Sequence, residues 1–143
     1  MSEGADEVTR RLGDERYISL ATYRRSGREV RTPVWVARDR DRLYVFSEGK
    51  AGKVKRIRAN GRVSATGCDV RGRLPEDAVW AHGRGRIVGA DELAVWSRAY
   101  AALRSKYGWQ MKLGDLMSQL SGRYQRRAML ELDFTQGPPP ERD

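Results

Sequence analysis

Ser47 to Val63 reads SEGKAGKVKRIRANGRV and carries Lys50, Lys53, Lys55, Arg56, Arg58 and Arg62 among the glycines Gly49, Gly52 and Gly61. A solvated helix face, a nucleic-acid patch and a phosphate cradle all use this composition. Lys50 and Lys53 fall where a helix would begin, after a strand and a glycine-bearing turn. Positive charge there opposes the helix dipole at ~0.3–1 kcal/mol per charge, so a purely structural helix gains nothing from it. A helix that receives a phosphate uses the lysines together with its free N–H groups. Arg56 extends the cationic set and Ser47 adds a hydroxyl at the strand end. Nucleic-acid binding asks for a basic face interleaved with aromatics or a known docking module. The aromatics here lie in other segments, so no nucleic-acid partner is expected.

A second candidate is TPVWV, Thr32 to Val36. Pro33 cannot donate to a strand ladder and marks an edge or an interruption. Unpaired backbone groups beside it would suit the edge of a flat ring, with Trp35 either against that ring or filling the core. The single histidine, His82, has no nucleophile motif around it, and the single cysteine, Cys68, reads as a small buried residue. One His and one Cys exclude a zinc site of the usual kind and an intrachain disulfide. No paired carboxylates stand out for acid–base work. Protein-side chemistry is sparse, so a cofactor would have to supply the reactivity.

The elements that must position these residues come from 143 residues, enough for one domain, with 39% hydrophobic and 33% charged content and a net charge of +9. That charge favours anionic partners. No apolar run reaches the ~20 residues that span a bilayer, and the N-terminus lacks a signal-peptide core, so a cytoplasmic protein without a membrane partner is expected. Val8 to Leu12 reads as a short helix ended by Gly13, and Tyr17 to Tyr23 as a strand. Glu29 to Asp39 alternates, with Val30, Thr32, Val34 and Val36 on one face, and Leu43 to Ser47 returns after a turn. These three strands read as an antiparallel meander. Ala51 to Asn60 reads as a helix closed by Gly61, Arg62 to Asp69 and Ala78 to Ala90 as strands, and Ala128 to Phe134 as the last strand. A long helix starts at Asp91 as N-cap, with an apolar stripe of Leu93, Trp96, Tyr100, Leu103 and Tyr107. A helical turn is expected over Leu113 to Leu120, an ordered core over about 14–136, and a flexible tail over 137–143. The sum is a mostly β fold: a six-stranded antiparallel barrel with helical additions.

In order and spacing, SLAT, RTPVWV, GKVKRIR followed by RV, and CDVRGR before a glycine-rich strand resemble the pyridoxamine 5′-phosphate oxidase-like, FMN-binding split β-barrel superfamily. More narrowly they resemble its actinobacterial branch of reductases dependent on the deazaflavin coenzyme F420. The resemblance covers roughly Arg16 to Val88 and the closing strand. It implies a homodimer with cofactor sites at the subunit interface. Lys53 would meet the cofactor phosphate, supported by Lys50, Arg56 and the Ser47 hydroxyl, and Thr32, Pro33, Val34 and Trp35 would line the isoalloxazine or deazaflavin ring. Thr22 would stand nearby. The implied reaction is hydride transfer to a small organic substrate. The surplus arginine would suit the polyglutamate tail of F420. FMN is the alternative cofactor, and a non-catalytic protein binding flavin, F420 or haem is the alternative role. The chain departs from the family at Gly61, where proline is common.

Overall fold

Two strands separated by only two residues stand at opposite ends of one sheet. The computed structural model describes residues 4–108 and 127–139. Helix α1 spans Ala5–Gly13, followed by β1 (Tyr17–Tyr23), β2 (Glu29–Val34), β3 (Ala37–Asp39) and β4 (Arg42–Glu48). Then come α2 (Gly52–Asn60), β5 (Arg62–Cys68), β6 (Ala81–Ile87), α3 (Leu93–Tyr107) and β7 (Arg127–Asp133). The strands form one sheet in the order β2-β1-β5-β6-β7-β4-β3, and every pairing in it is antiparallel. Because only Trp35 and Val36 separate β2 from β3, the sheet must curl until its ends meet, which makes a split barrel.

Among the described residues seven strands stand where six were expected. The alternation over Glu29 to Asp39 is real, but the chain changes partners within it. Val34 still pairs with Ile18 of β1, whereas Ala37 pairs with Tyr44 of β4. Val34 and Val36 both pack in the inner core while Trp35 and Ala37 join the outer cluster. The side-chain period of two thus runs unbroken through a corner that divides the run. The expected meander fails for the same reason, since β4 pairs with β3 and β7 and not with β2.

The barrel interior is filled by Leu20, Leu43, Val45, Val63, Leu130 and Leu132 among others, closed by Leu12 of α1 and by Val54 and Ile57 of α2. Val54 and Ile57 lie one helical turn apart, so α2 turns a single apolar edge inward. Gly61 ends α2 at φ 71°, and its N–H donates to Ile57 O at 2.8 Å. A side chain would be strained at that φ, and its Cβ would lie 3.2 Å from Gly85 O.

Helix α3 covers the outer face of β3 and β4, with Ala99, Leu103 and Tyr107 buried against Tyr44 and Met129. Its N-cap is Glu92, one residue later than expected, because the Glu92 carboxylate accepts the Gly89 N–H at 2.6 Å and pairs with Arg86. Leu93 does not join the stripe and is 71% exposed. At the other end Lys106 donates to Gly13 O and Val36 O, each at 2.7 Å, and to Glu15 O. The Tyr107 hydroxyl accepts from Val36 N–H at 2.8 Å, and its proton is shared between Arg16 O and Val36 O. The last turn of α3 therefore holds the corner where the barrel closes. The helical turn expected over Leu113 to Leu120 lies outside the described residues. Gly137 O accepts from Arg84 Nε at 3.1 Å, which ties the start of the expected tail to β6. No helix among the described residues is long and apolar enough to cross a membrane.

Candidate functional site

The first turn of α2 concentrates unmet positive charge. No side chain caps its N-terminus at Ala51, and its first turn holds no acidic residue. The leading N–H groups of a helix have no intrahelical partner, so this end presents donors. Arg56 folds back toward them, as long helical side chains do. A Cβ on Gly52 would lie 2.6 Å from its Nη1, so the bare glycine leaves the guanidinium its place. Arg56 Nε donates to Thr22 Oγ1 at 2.6 Å, and Thr22 is fully buried on β1. Glycine, guanidinium and N–H groups form a cradle with no carboxylate at ion-pair distance from Lys50, Lys53 or Arg56 among the described residues.

Electrostatics agree. Burial, then the neighbouring Arg56, hold the Lys53 ammonium below its usual range, and Glu48 offsets this only in part. Burial and then Arg24 push Arg56 down in the same direction. Cations that destabilise one another through burial and mutual repulsion are stabilised by an arriving anion.

The remaining expected residues divide into two groups. Ser47 lies near the end of β4, five residues before α2, 7% exposed, its hydroxyl donating to Glu48 O at 3.3 Å. Lys50 is exposed in the turn before α2. Thr32 pairs with Leu20, and Thr22 with Val30, so Thr32 and Thr22 share the inward face of β1 and β2. The Thr32 hydroxyl is buried with no hydrogen-bond partner, an orphan polar atom of the kind a ligand satisfies. Val34 packs against the inner core. Pro33 faces outward, where a Cβ on Gly72 would lie 3.5 Å from its ring. Trp35 stacks on Tyr107 with ring centroids 4.4 Å apart. Among the described residues strand β2 is paired on one side only, which leaves its outer edge open to a planar ring.

Sequence reasoning missed Arg24 as a neighbour of Arg56. The signal was the basic β1–β2 hairpin, RRSGR, which has no partner visible in sequence. A cavity of about 370 Å³ lies at the far end of β5, lined by Arg11, Glu15, Thr66, Asp77 and Val79 among others. Its two carboxylates against one guanidinium suit no phosphate, and it stands ~10 Å along the strand from the basic end.

The sequence profile described as pyridoxamine 5′-phosphate oxidase matches residues 5–137. Among solved structures, an FAD-binding protein from Mesorhizobium loti is 19% identical with a TM-score of 0.63, over 94% of this chain and 90% of that one. The heme storage protein from Vibrio cholerae is 16% identical with a TM-score of 0.67, over 92% and 89%. A conserved hypothetical protein from Mycobacterium tuberculosis is 19% identical with a TM-score of 0.65, over 100% and 91%. At such identities the likeness is one of fold. A comparison with curated protein sequences finds no match. The profile runs from α1 through β7, taking in the split barrel and its cationic first turn of α2, and the chain belongs to the pyridoxamine 5′-phosphate oxidase family.

Proposed function

We propose that the chain is an oxidoreductase that holds a flavin-type cofactor by its phosphate at the first turn of α2, with the deazaflavin coenzyme F420 as that cofactor. The observation that carries this reading is the cluster of Lys53 and Arg56 around bare Gly52, with no carboxylate at ion-pair distance among the described residues. Lys53, Arg56 and the leading N–H groups of α2 would hold the phosphate, with Lys50 and the Ser47 hydroxyl at its rim. Thr22 fixes the guanidinium, and the Thr32 hydroxyl and the free edge of β2 would meet the ring. Such a cofactor supplies two-electron hydride chemistry. The chain's own part is to orient the ring and, in the homodimer the reading includes, to keep water from it. Family membership supports the reading, as does a neighbour of the same fold described as FAD-binding. FMN shares the phosphate requirement and is the second cofactor to test; the net charge of +9 favours the more anionic F420.

Fluorescence titration with F420 and with FMN, at low and high salt, tests this. F420 is expected to bind more tightly than FMN, and more weakly as salt rises. Lys53→Ala is expected to raise Kd by roughly tenfold to a hundredfold, the range of a lost charge-assisted hydrogen bond. Unaltered binding in Lys53→Ala would remove the phosphate site, and preferential FMN binding would replace the deazaflavin with a flavin.

A further inference from the structure

Strand β5 outlasts its partner β6, and a cavity occupies the gap. Their pairing ends at Ala65 opposite Ala81, whereas β5 stays paired with β1 as far as Cys68. Gly85 N–H donates to Gly61 O at 2.7 Å in the same register. Backbone groups alternate sides along an antiparallel strand, so Gly61, Val63 and Ala65 face β6, and Gly67 is next in the series. Val79, which would continue the pairing, has turned away behind a bend in which Ala78 N–H donates to Pro75 O at 3.2 Å. Gly67 is buried, and among the described residues its N–H and C=O meet no backbone partner on that side. Buried backbone groups are nearly always satisfied, and where the chain does not do so a ligand or water does.

The cavity of about 370 Å³ at this place is lined by Gly67, Thr66, Arg11, Glu15 and Asp77 among others, within the ~300–1,000 Å³ of small-molecule sites. Glu15 reaches it across Gly67, where a Cβ would lie 2.5 Å from its Oε1, so the missing side chain leaves room for the carboxylate. Asp77 comes from the exposed loop before β6. Neither carboxylate forms an ion pair among the described residues. Arg11 already has an interaction in the folded chain. Lys106 feels the Glu15 charge, but it gives its donors to the carbonyls of Gly13, Glu15 and Val36. Burial first, then Asp69 and Glu15, push the adjoining Cys68 thiol up to about 11, so this end of β5 is locally negative in a chain of net charge +9. We propose that the cavity is a second ligand site, separate from the phosphate cradle, which takes a small organic cation bearing N–H donors, an alkylammonium or alkylguanidinium compound. Glu15 and Asp77 accept its charged N–H groups, and the Gly67 carbonyl accepts a further one. The overall positive charge of the chain repels such a ligand at long range, so only contacts inside the cavity hold it.

Agmatine, which carries an ammonium and a guanidinium, is the probe, and tetramethylammonium, a cation without N–H donors, is its control. Isothermal titration calorimetry of the full chain is expected to show one saturable agmatine site with Kd below ~1 mM and none for tetramethylammonium. Agmatine is also expected to move the Gly67 amide resonance in NMR spectra. Glu15→Gln and Asp77→Asn are each expected to raise the agmatine Kd roughly tenfold to a hundredfold, as the loss of a charge-assisted hydrogen bond does. Asp77 is exposed on a loop, so its variant keeps the fold and decides the matter even where Glu15→Gln does not. Lys53→Ala is expected to leave the agmatine Kd unchanged, since the phosphate cradle lies away from the cavity. Absence of saturable binding, equal binding of tetramethylammonium, or an agmatine Kd unmoved by both carboxylate variants overturns the proposal. An agmatine Kd that changes with Lys53→Ala overturns it too, because the cation then sits outside the cavity.

Discussion

Single residues in this chain are set by neighbours the sequence does not place beside them. Cys68, half-buried at the end of β5, has its thiol pushed up from an ordinary 9.0 to about 11, first by burial and then by the Asp69 and Glu15 carboxylates. Glu15 lies across Gly67, where a side chain would collide with its carboxylate. Only the thiolate reacts, so at pH 8 Cys68 is expected to alkylate with iodoacetamide about a hundredfold more slowly than a free cysteine. The rate is expected to climb tenfold per pH unit toward pH 11. Because the folded thiol keeps its proton longer than the unfolded one, stability is expected to fall as pH rises through this window. Mass spectrometry of timed alkylation checks the rates. The cations of the candidate site were legible as charges, since Lys50, Lys53 and Arg56 follow a strand and glycines. Their contacts were not. Thr22 lies 34 residues before Arg56, and the orphaned hydroxyl of Thr32 is a property of packing alone.

At the scale of elements, the last turn of α3 fastens three backbone segments at once. Lys106 satisfies carbonyls of α1, of the α1–β1 link and of the barrel corner. Replacing it by methionine keeps the stem and removes the donors. Lys106→Met is expected to cost about 3 kcal/mol, in the range for hydrogen bonds to a charged group, measured as a shift in the urea midpoint at constant slope. Tyr107→Phe should cost less, since it removes one hydroxyl and leaves the Trp35 stack. Most elements were readable from period: the strands from alternation, α2 from its inward edge and the αL glycine, and α3 from its stripe. The division between β2 and β3 was not. A corner that keeps the alternation of Val34, Trp35, Val36 and Ala37 leaves no mark in the pattern. Its cause is Tyr107, 71 residues beyond Val36, bonded to that residue's backbone. Leu93 misled because helical period says which face a residue shares and not whether a partner reaches that far along the helix.

For the whole molecule, β7 is the piece that makes one sheet of two. Without it the order separates into β2-β1-β5-β6 and β4-β3. Leu132 is fully buried and faces Leu43 of β4 on one side and Gly85 of β6 on the other. Leu132→Ala is expected to cost about 2–5 kcal/mol, and calorimetry should show a single lowered transition, since both half-sheets lose the same support. Two resolved transitions would mean that the halves hold together separately. The place of β7 also bears on how the protein is made. A chain emerging from the ribosome offers β4 and β6 with facing edges that, among the described residues, only Arg127–Asp133 closes. Until β7 emerges, the nascent chain carries strand edges that only β7 pairs in the folded sheet, and such edges are open to neighbouring chains for that interval.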